Sequence, residues 1–372
     1  MNKPRMKIFI IGGHVTPAVG VIDEIEKKHP DWVVVFVGRK YAQEGDRHPS
    51  VEYEIMTSRG IRFLPIIAGR LQRSLSLQTI PSILKIPVGF IQATYYCLHE
   101  RPQCIVSFGG YVAVPIAMVG ALFGVPVITH EQTRIPGLSN KIIAKFAKKI
   151  CVTFDETARN FPPAKTIVTG LPLRRDLFCP PSEFITDVHE KKYPIIYITG
   201  GATGATSLNE RIFPLIGQLL KKYTVVHQIG IHSFHNAETI RGQLSKEDQA
   251  RYVIARYFGL KEISWILHHA ALVVCRSGAN TVVELAVFGK IALCIPLPWS
   301  AGNEQYHNAK WLQEHGGANV LMQKDATPQK ILQDIHQMMN SRDMFASRAK
   351  RLAPLVPQDG ARRFVEQIDT IL

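Results

Sequence analysis

The chain has 372 residues, 46% of them hydrophobic and 20% charged, which is enough apolar material for a substantial core and enough length for two ordinary domains. Its net charge of +14 is unevenly divided, with 23 Lys+Arg against 13 Asp+Glu in residues 1–176 and 21 against 17 in the remainder, so an anionic partner would meet the first half, whether nucleic acid, acidic membrane surface or phosphorylated substrate. A signal-peptide core and an apolar run of about 18 residues are both missing, which speaks against a membrane span.

Taken in chain order, the first β-branched run is "KIFII", Lys7 to Ile11, and it ends in Gly12-Gly13-His14. A second, "WVVVFVG", starts at Trp32. Ser76 to Leu98, "SLQTIPSILKIPVGFIQATYYCL", is apolar and aromatic and is flanked by Arg70, Arg73, Lys85 and Arg101. Apolar residues ringed by basic ones suit insertion at a lipid headgroup boundary; the same pattern also fits a helix pair packed in the core and kinked at Pro87. The runs "CIVSF", "PVITHE" and "KICVTF" follow, the first leading into Gly109-Gly110. Pro, Gly and charge then cluster in "TGLPLRRDLFCPPSE", Thr169 to Glu183, where a domain change-over is expected.

In the second half "PIIYITGG", "YTVVHQIG", "RYVIARY", "ALVVCRSG" and "IALCIPL" repeat the pattern, and Ser341 to Leu372 is helical with an interruption at Pro354 and Pro357. Continuous apolar strands separated by helix-length segments predict parallel sheets covered on both faces, hence two doubly wound α/β domains. The six cysteines (Cys97, Cys104, Cys151, Cys179, Cys275, Cys294) show no CxxC pair or metal-ligand spacing, and several sit in apolar runs. They point to a reducing cytoplasm without structural zinc. Neither an aromatic RNP-type motif nor a zinc finger supports nucleic acid as the partner.

Ligands of open α/β sheets gather at the C-terminal ends of strands. Three glycine pairs stand there, Gly12-Gly13, Gly109-Gly110 and Gly200-Gly201. "TGGATGATSLN", Thr199 to Asn209, closes a strand and opens a helix, so its amides suit a diphosphate; the lysine of a P-loop and the spacing of a dinucleotide fingerprint are both absent. "CRSGANTVVELAVFG" places Glu284 in the helix start region, where one carboxylate oxygen per hydroxyl matches a ribose diol or the residue is a solvated face. Asn303, Glu304, Gln305 and Asn308, in the next strand-end loop, suit sugar hydroxyls.

In order, "SFGGYVAVPIA", "HEQTRIPGLSNKIIAKFA", "TGLPLRRD", "TGGATGA", "CRSGANTVVELAVFG" and "GNEQYHNA" resemble the MurG family of N-acetylglucosaminyltransferases, glycosyltransferase family 28, over roughly Lys7 to Gln367. The resemblance implies a GT-B fold, two Rossmann-like domains facing a central cleft, here 1–176 for the acceptor and membrane and 177–372 for UDP-N-acetylglucosamine, with the last helix packing back towards the first domain. It implies that Glu284 binds the ribose, that the backbone of Leu260 meets the uracil, that Arg174 contacts donor phosphate, and that Glu304 and Gln305 recognise the N-acetylglucosamine. Gly201, Ala202, Thr203 and Gly204 complete the donor set. On the acceptor side it implies Gly12, Gly13, Gly109, Gly110, Tyr111 and Asn140, with His14 and Glu131 as catalytic residues.

The chain departs from the family pattern in places. Its first loop keeps only Gly12, Gly13 and His14 of a longer glycine run, which leaves fewer amides for phosphate. Ala202 stands for a serine, Leu171 for the asparagine before Arg174, Thr133 for the asparagine that often follows His-Glu-Gln, and Glu304 for glutamine or histidine.

The chemistry implied is one inverting displacement, without metal or other cofactor, in which the muramoyl 4-hydroxyl of lipid I attacks the donor's anomeric carbon and gives lipid II for peptidoglycan synthesis. His14 would take the hydroxyl proton while Gly12 and Gly13 leave room for the acceptor diphosphate; alternatively His14 caps or packs against the following helix. A peripheral position on the anionic cytoplasmic face of the plasma membrane follows from the polyprenyl substrate. Two other readings stay open, a related glycolipid transferase with another acceptor and a degenerate UDP-sugar-binding protein.

Overall fold

A computed structural model describes residues 5–41, 48–67, 69, 79–181, 183–184, 192–201 and 204–372. Arg70, Arg73 and residues 76–78 of the apolar stretch lie outside the described residues, as do Ala202 and Thr203. The chain forms two compact units, Met1–Arg174 with Gln358–Leu372, and Arg175–Pro357. The division thus falls two residues before the expected one, and the last fifteen residues belong to the first unit.

The first unit holds seven strands: β1 (Lys7–Ile11), β2 (Val33–Gly38), β3 (Arg62–Pro65), β4 (Cys104–Ser107), β5 (Val127–Glu131), β6 (Lys149–Val152) and β7 (Thr166–Val168). They form one parallel sheet ordered β3-β2-β1-β4-β5-β6-β7. The second unit holds β8 (Ile195–Thr199), β9 (Thr224–Gln228), β10 (Tyr252–Ala255), β11 (Leu272–Cys275), β12 (Ala292–Cys294) and β13 (Ala318–Val320). Its parallel sheet runs β10-β9-β8-β11-β12-β13. In each sheet the order reverses once, between β1 and β4 and between β8 and β11, and such a switch point splays the two following loops apart to leave a crevice.

Every residue of β4, β5, β8, β9, β11 and β12 is buried. That is the expected state of a parallel strand covered by helices on both faces, and it explains the unbroken β-branched runs. Five of the six cysteines are buried within these layers, and Cys179 is exposed.

Helix Val15–Lys28 and the last helix, Gly360–Asp369, pack together in the first unit. A Cβ on Gly20 would lie 2.8 Å from the Leu173 carbonyl oxygen, and one on Gly360 would lie 2.4 Å from that of Leu171. Leu171 is fully buried, so the residue that stands for the family's asparagine belongs to this packing.

The apolar stretch forms one helix, Thr79–Glu100, with Pro87 inside it rather than a helix pair. Pro87 is exposed, where a missing hydrogen bond is tolerated best. Among the described residues no helix is long and apolar enough to cross a membrane.

Two buried histidines pin strands to neighbouring elements. His130 on β5 donates from Nε2 to the Gly170 carbonyl at 2.9 Å and packs on Phe108 and Phe364. His227 on β9 lies 3.1 Å from Asn209 Oδ1 and 3.3 Å from the Tyr252 hydroxyl. Burial pushes His130 down to about 4 and His227 to about 3.

Both rings stay neutral when folded and protonate when unfolded, so stability is independent of them above pH 6.5 and falls as the pH drops from 6.5 towards 4, on the order of 3 kcal/mol for each. Urea midpoints measured across that window should fall with pH, and His130→Gln should flatten the curve. An unchanged slope in that variant would contradict the assignment.

Candidate active site

Around the first switch point, the Gly12 N–H donates to the Val37 carbonyl at 2.8 Å and turns the chain out of the sheet. His14 occupies the N-cap position of helix Val15–Lys28 in an extended conformation, yet its side chain caps nothing. Instead Nδ1 faces the Phe108 carbonyl at 3.2 Å. A carbonyl only accepts, so Nδ1 carries the proton of the neutral ring and the lone pair of Nε2 is left to act as a base. The ring is exposed. The same carbonyl accepts from Nε2 of the buried Gln132 at 3.2 Å, and that amide also donates to His130 O at 3.1 Å. Gln132 thus fixes the oxygen that fixes His14, a role that sequence reading missed.

The glycine pairs on either side of the switch touch. A Cβ on Gly13 would lie 2.4 Å from the Gly109 carbonyl oxygen, and one on Gly110 would lie 3.2 Å from the Gly13 Cα. Gly109 takes φ +78°, and any side chain there would meet the Asn140 amide at 2.8 Å. Over Gly12 the space is filled, since a Cβ would sit 2.7 Å from Oε2 of Glu52. That buried carboxylate accepts from the Arg39 N–H at 2.6 Å and from the Gly13 N–H. Burial raises its pKa, while the two N–H groups and the Arg39 charge pull the other way. Glu52 thus accounts for the glycine at position 12, and Gly13 beside it is exposed.

Glu131, the other residue expected to be catalytic, is held by a dense set of hydrogen bonds. It is buried, Oε1 accepts from the Thr133 N–H at 3.0 Å and its hydroxyl at 2.8 Å, and Oε2 accepts from the Gly137 N–H at 3.0 Å and Asn140 Nδ2 at 2.9 Å. Three N–H groups and a hydroxyl shared with the Ile135 carbonyl hold this carboxylate, which orders the loop around it. Asn140 is buried with it, and its Oδ1 accepts from Thr129 Oγ1 at 2.8 Å. Tyr111 is half-buried, its hydroxyl 3.4 Å from Nη1 of Arg39. Glu131→Ala would strand two buried N–H donors and a half-buried one and should lower the unfolding free energy by about 3 kcal/mol. Wild-type stability with abolished turnover would instead make Glu131 a proton-transfer group.

In the second unit the turn after β8 takes φ +89° at Gly201 and +74° at Gly204. The Gly201 N–H donates to Thr199 Oγ1 at 3.0 Å and the Gly204 N–H to the Gly201 carbonyl at 3.1 Å. Gln228, at the end of β9, donates to the Gly201 carbonyl at 2.9 Å and accepts from the Phe258 N–H at 3.1 Å. This second overlooked glutamine ties the glycine turn to the segment carrying Leu260. Leu260 opens helix Leu260–His269, so its N–H has no acceptor within the helix.

Glu284 is the sixth residue of helix Ala279–Val287, a turn deeper than expected; it is half-buried, and its charge helps hold the Tyr197 hydroxyl above its ordinary pKa, chiefly raised by burial. Glu304 and Gln305 open helix Glu304–Glu314 behind Asn303, which takes φ +55°. Gln305 Oε1 accepts from the Leu297 N–H at 3.0 Å and its carbonyl from Ser277 Oγ at 2.7 Å, while Asn308 Nδ2 donates to the Ser277 carbonyl at 3.1 Å. These bonds join the loops after β11 and β12. Arg174 is buried as the last residue of the stretch Met1–Arg174 in the first unit.

Two doubly wound parallel domains, each with glycine turns at its switch point, are the architecture of the GT-B fold. The family model "Glycosyltransferase family 28 N-terminal domain" matches residues 11–152, and "Glycosyltransferase family 28 C-terminal domain" matches residues 195–367. An enzyme of Desulforudis audaxviator (strain MP104C), named UDP-N-acetylglucosamine--N-acetylmuramyl-(pentapeptide) pyrophosphoryl-undecaprenol N-acetylglucosamine transferase, is 32% identical over 88% of this chain and 87% of its own. A protein of the same name from Thermoanaerobacter sp. (strain X514) is 28% identical over 97% of each chain. The crystal structure of Acinetobacter baumannii MurG superposes with a TM-score of 0.67 at 26% identity, covering 99% of this chain and 100% of that one. The chain belongs to glycosyltransferase family 28, in its MurG branch.

Proposed function

We propose that this protein transfers N-acetylglucosamine from UDP-N-acetylglucosamine to the 4-hydroxyl of the muramoyl sugar of lipid I, with inversion, to give lipid II. The names of its relatives supply the reaction, and the observation that carries the reading in this chain is His14, exposed, with Nδ1 on the Phe108 carbonyl and Nε2 left basic. The acceptor oxygen bonds to the anomeric carbon as the bond from that carbon to the UDP oxygen breaks, and Nε2 of His14 takes the hydroxyl proton. Amides of the Gly200–Gly204 turn and Arg174 meet the charge gathering on UDP. Leu260 N–H and the Glu284 carboxylate hold uracil and ribose, and Glu304 and Gln305 the sugar.

His14→Ala should lower kcat by about 10²- to 10⁴-fold at an unchanged KM for the donor. Turnover of a short-chain lipid I analogue should persist in EDTA. Near wild-type turnover by His14→Ala would refute the base, and transfer to diacylglycerol in place of lipid I would refute the acceptor.

The membrane attachment rests on helix Thr79–Glu100. Leu84, Val88, Ile91, Tyr95 and Leu98 recur at intervals of four and three residues and are all exposed, Leu84 by 70% and Ile91 by 69%. Leu122 and Phe123 stand exposed at the end of the helix packed beside it. An uncovered apolar stripe with Lys85 in it suits shallow burial among anionic headgroups on the cytoplasmic face. Ile91→Asp with Lys85→Glu should abolish sedimentation with anionic vesicles and spare turnover of a soluble acceptor analogue; undiminished vesicle binding would refute the surface.

A further inference from the structure

Arg276 follows β11 directly and is only 5% exposed. Nη1 donates to the carbonyls of Ile295 at 2.8 Å and Pro296 at 3.3 Å, and Nη2 donates to Ser207 Oγ at 2.7 Å and to Gln323 Oε1. Its backbone N–H donates to the carbonyl of Thr199, the residue before the glycine turn, at 3.2 Å. The guanidinium therefore joins the exit of β12 and the segment after β13 to Ser207, three residues beyond Gly204.

Each of these acceptors is neutral. Among the described residues no carboxylate pairs with Arg276, its Nε–H is buried without an acceptor, and the charge that acts on it is another cation, Arg211, which donates to the Ser207 carbonyl. Burial, reinforced by Arg211, lowers its pKa to about 10, so it remains charged at neutral pH. A cation taken out of water with hydrogen bonds but no counter-charge is unfavourable until an anion arrives. If tying loops together were all that was needed, a neutral amide could do it without that penalty. Two arginines converging on Ser207 make the ground beneath the glycine turn positive, and a charge held in a poorly solvated site is little screened by salt.

We propose that Arg276 is a positioning residue for the donor diphosphate, its buried charge, anchored by its backbone to the residue before the glycine turn and by its side chain to Ser207 just beyond it, favouring the phosphates and leaving the uridine contacts alone. The inference rests on the donor site assigned above. A residue of this kind separates the nucleotide into two parts, one that feels the buried charge and one that does not.

Calorimetric binding of UDP and of uridine to the full chain tests it. Arg276→Gln, which retains hydrogen-bond donors and loses the charge, should weaken UDP by about tenfold or more and leave uridine unchanged. Arg276→Lys should keep most of the UDP preference. Equal losses for UDP and uridine, or no loss for either, would overturn the proposal. Should Arg276→Gln fail to fold, Arg211→Gln, which removes the second cation at Ser207 and leaves Arg276 in place, should reduce the UDP preference, and an unaltered preference would overturn the proposal equally. Wild-type protein that binds uridine as tightly as UDP would instead refute the donor site itself.

Discussion

Backbone contact between the loops that leave β1 and β4 sets the geometry of the first domain. With the Gly109 carbonyl oxygen 2.4 Å from where a Gly13 side chain would begin, neither loop can carry bulk at that contact. From that contact follow the direction of the Phe108 carbonyl, the proton position on His14 and the burial of Asn140 beneath Gly109. A polar layer of Glu131, Thr133, Gln132 and Asn140 keeps this arrangement in place. Because each buried donor there has an acceptor supplied by the chain, the layer can be rigid without being apolar.

The second domain solves the same topological problem in a related way. Its glycine turn is tied by the Gln228 amide reaching in from β9 and rests at Gly204 on the backbone of Ile229 and Gly230, while the Arg276 guanidinium binds Ser207 in the helix that follows. Both domains thus press a glycine turn against neighbouring backbone, and the second adds a side-chain amide to hold it. A donor bound at the second turn would lie near the positive charge of Arg276, whereas the first turn has the buried carboxyl group of Glu52 beside it.

Most of the strands could be read from the sequence because full burial on both faces demands uninterrupted β-branched runs. The three that escaped, β3, β7 and β13, are short and lie at sheet edges, and β3 and β7 contain no fully buried residue. Their side chains need not be apolar, so the pattern fades. Glycine turns and motif residues were visible by type, but their work was not. Gly12 is a glycine because of a glutamate forty residues away, and the motif around Glu131 does not show the N–H groups from Thr133, Gly137 and Asn140 that converge on it. Gln132, Gln228, Glu52 and Arg276 owe their importance to contacts between distant segments, which spacing along the chain does not encode.

The return of the chain to its first domain shapes the order in which the protein can be made. Since Gln358–Leu372 belong with Met1–Arg174, a ribosome releases the entire second domain before the helix that covers Phe108 and His130 exists. Until Phe364 arrives to pack on both rings, the first domain must wait with an apolar flank uncovered during synthesis of nearly two hundred further residues. That interval is when the nascent chain offers chaperones a target, and a stop codon just ahead of Gly360 would make the exposure permanent.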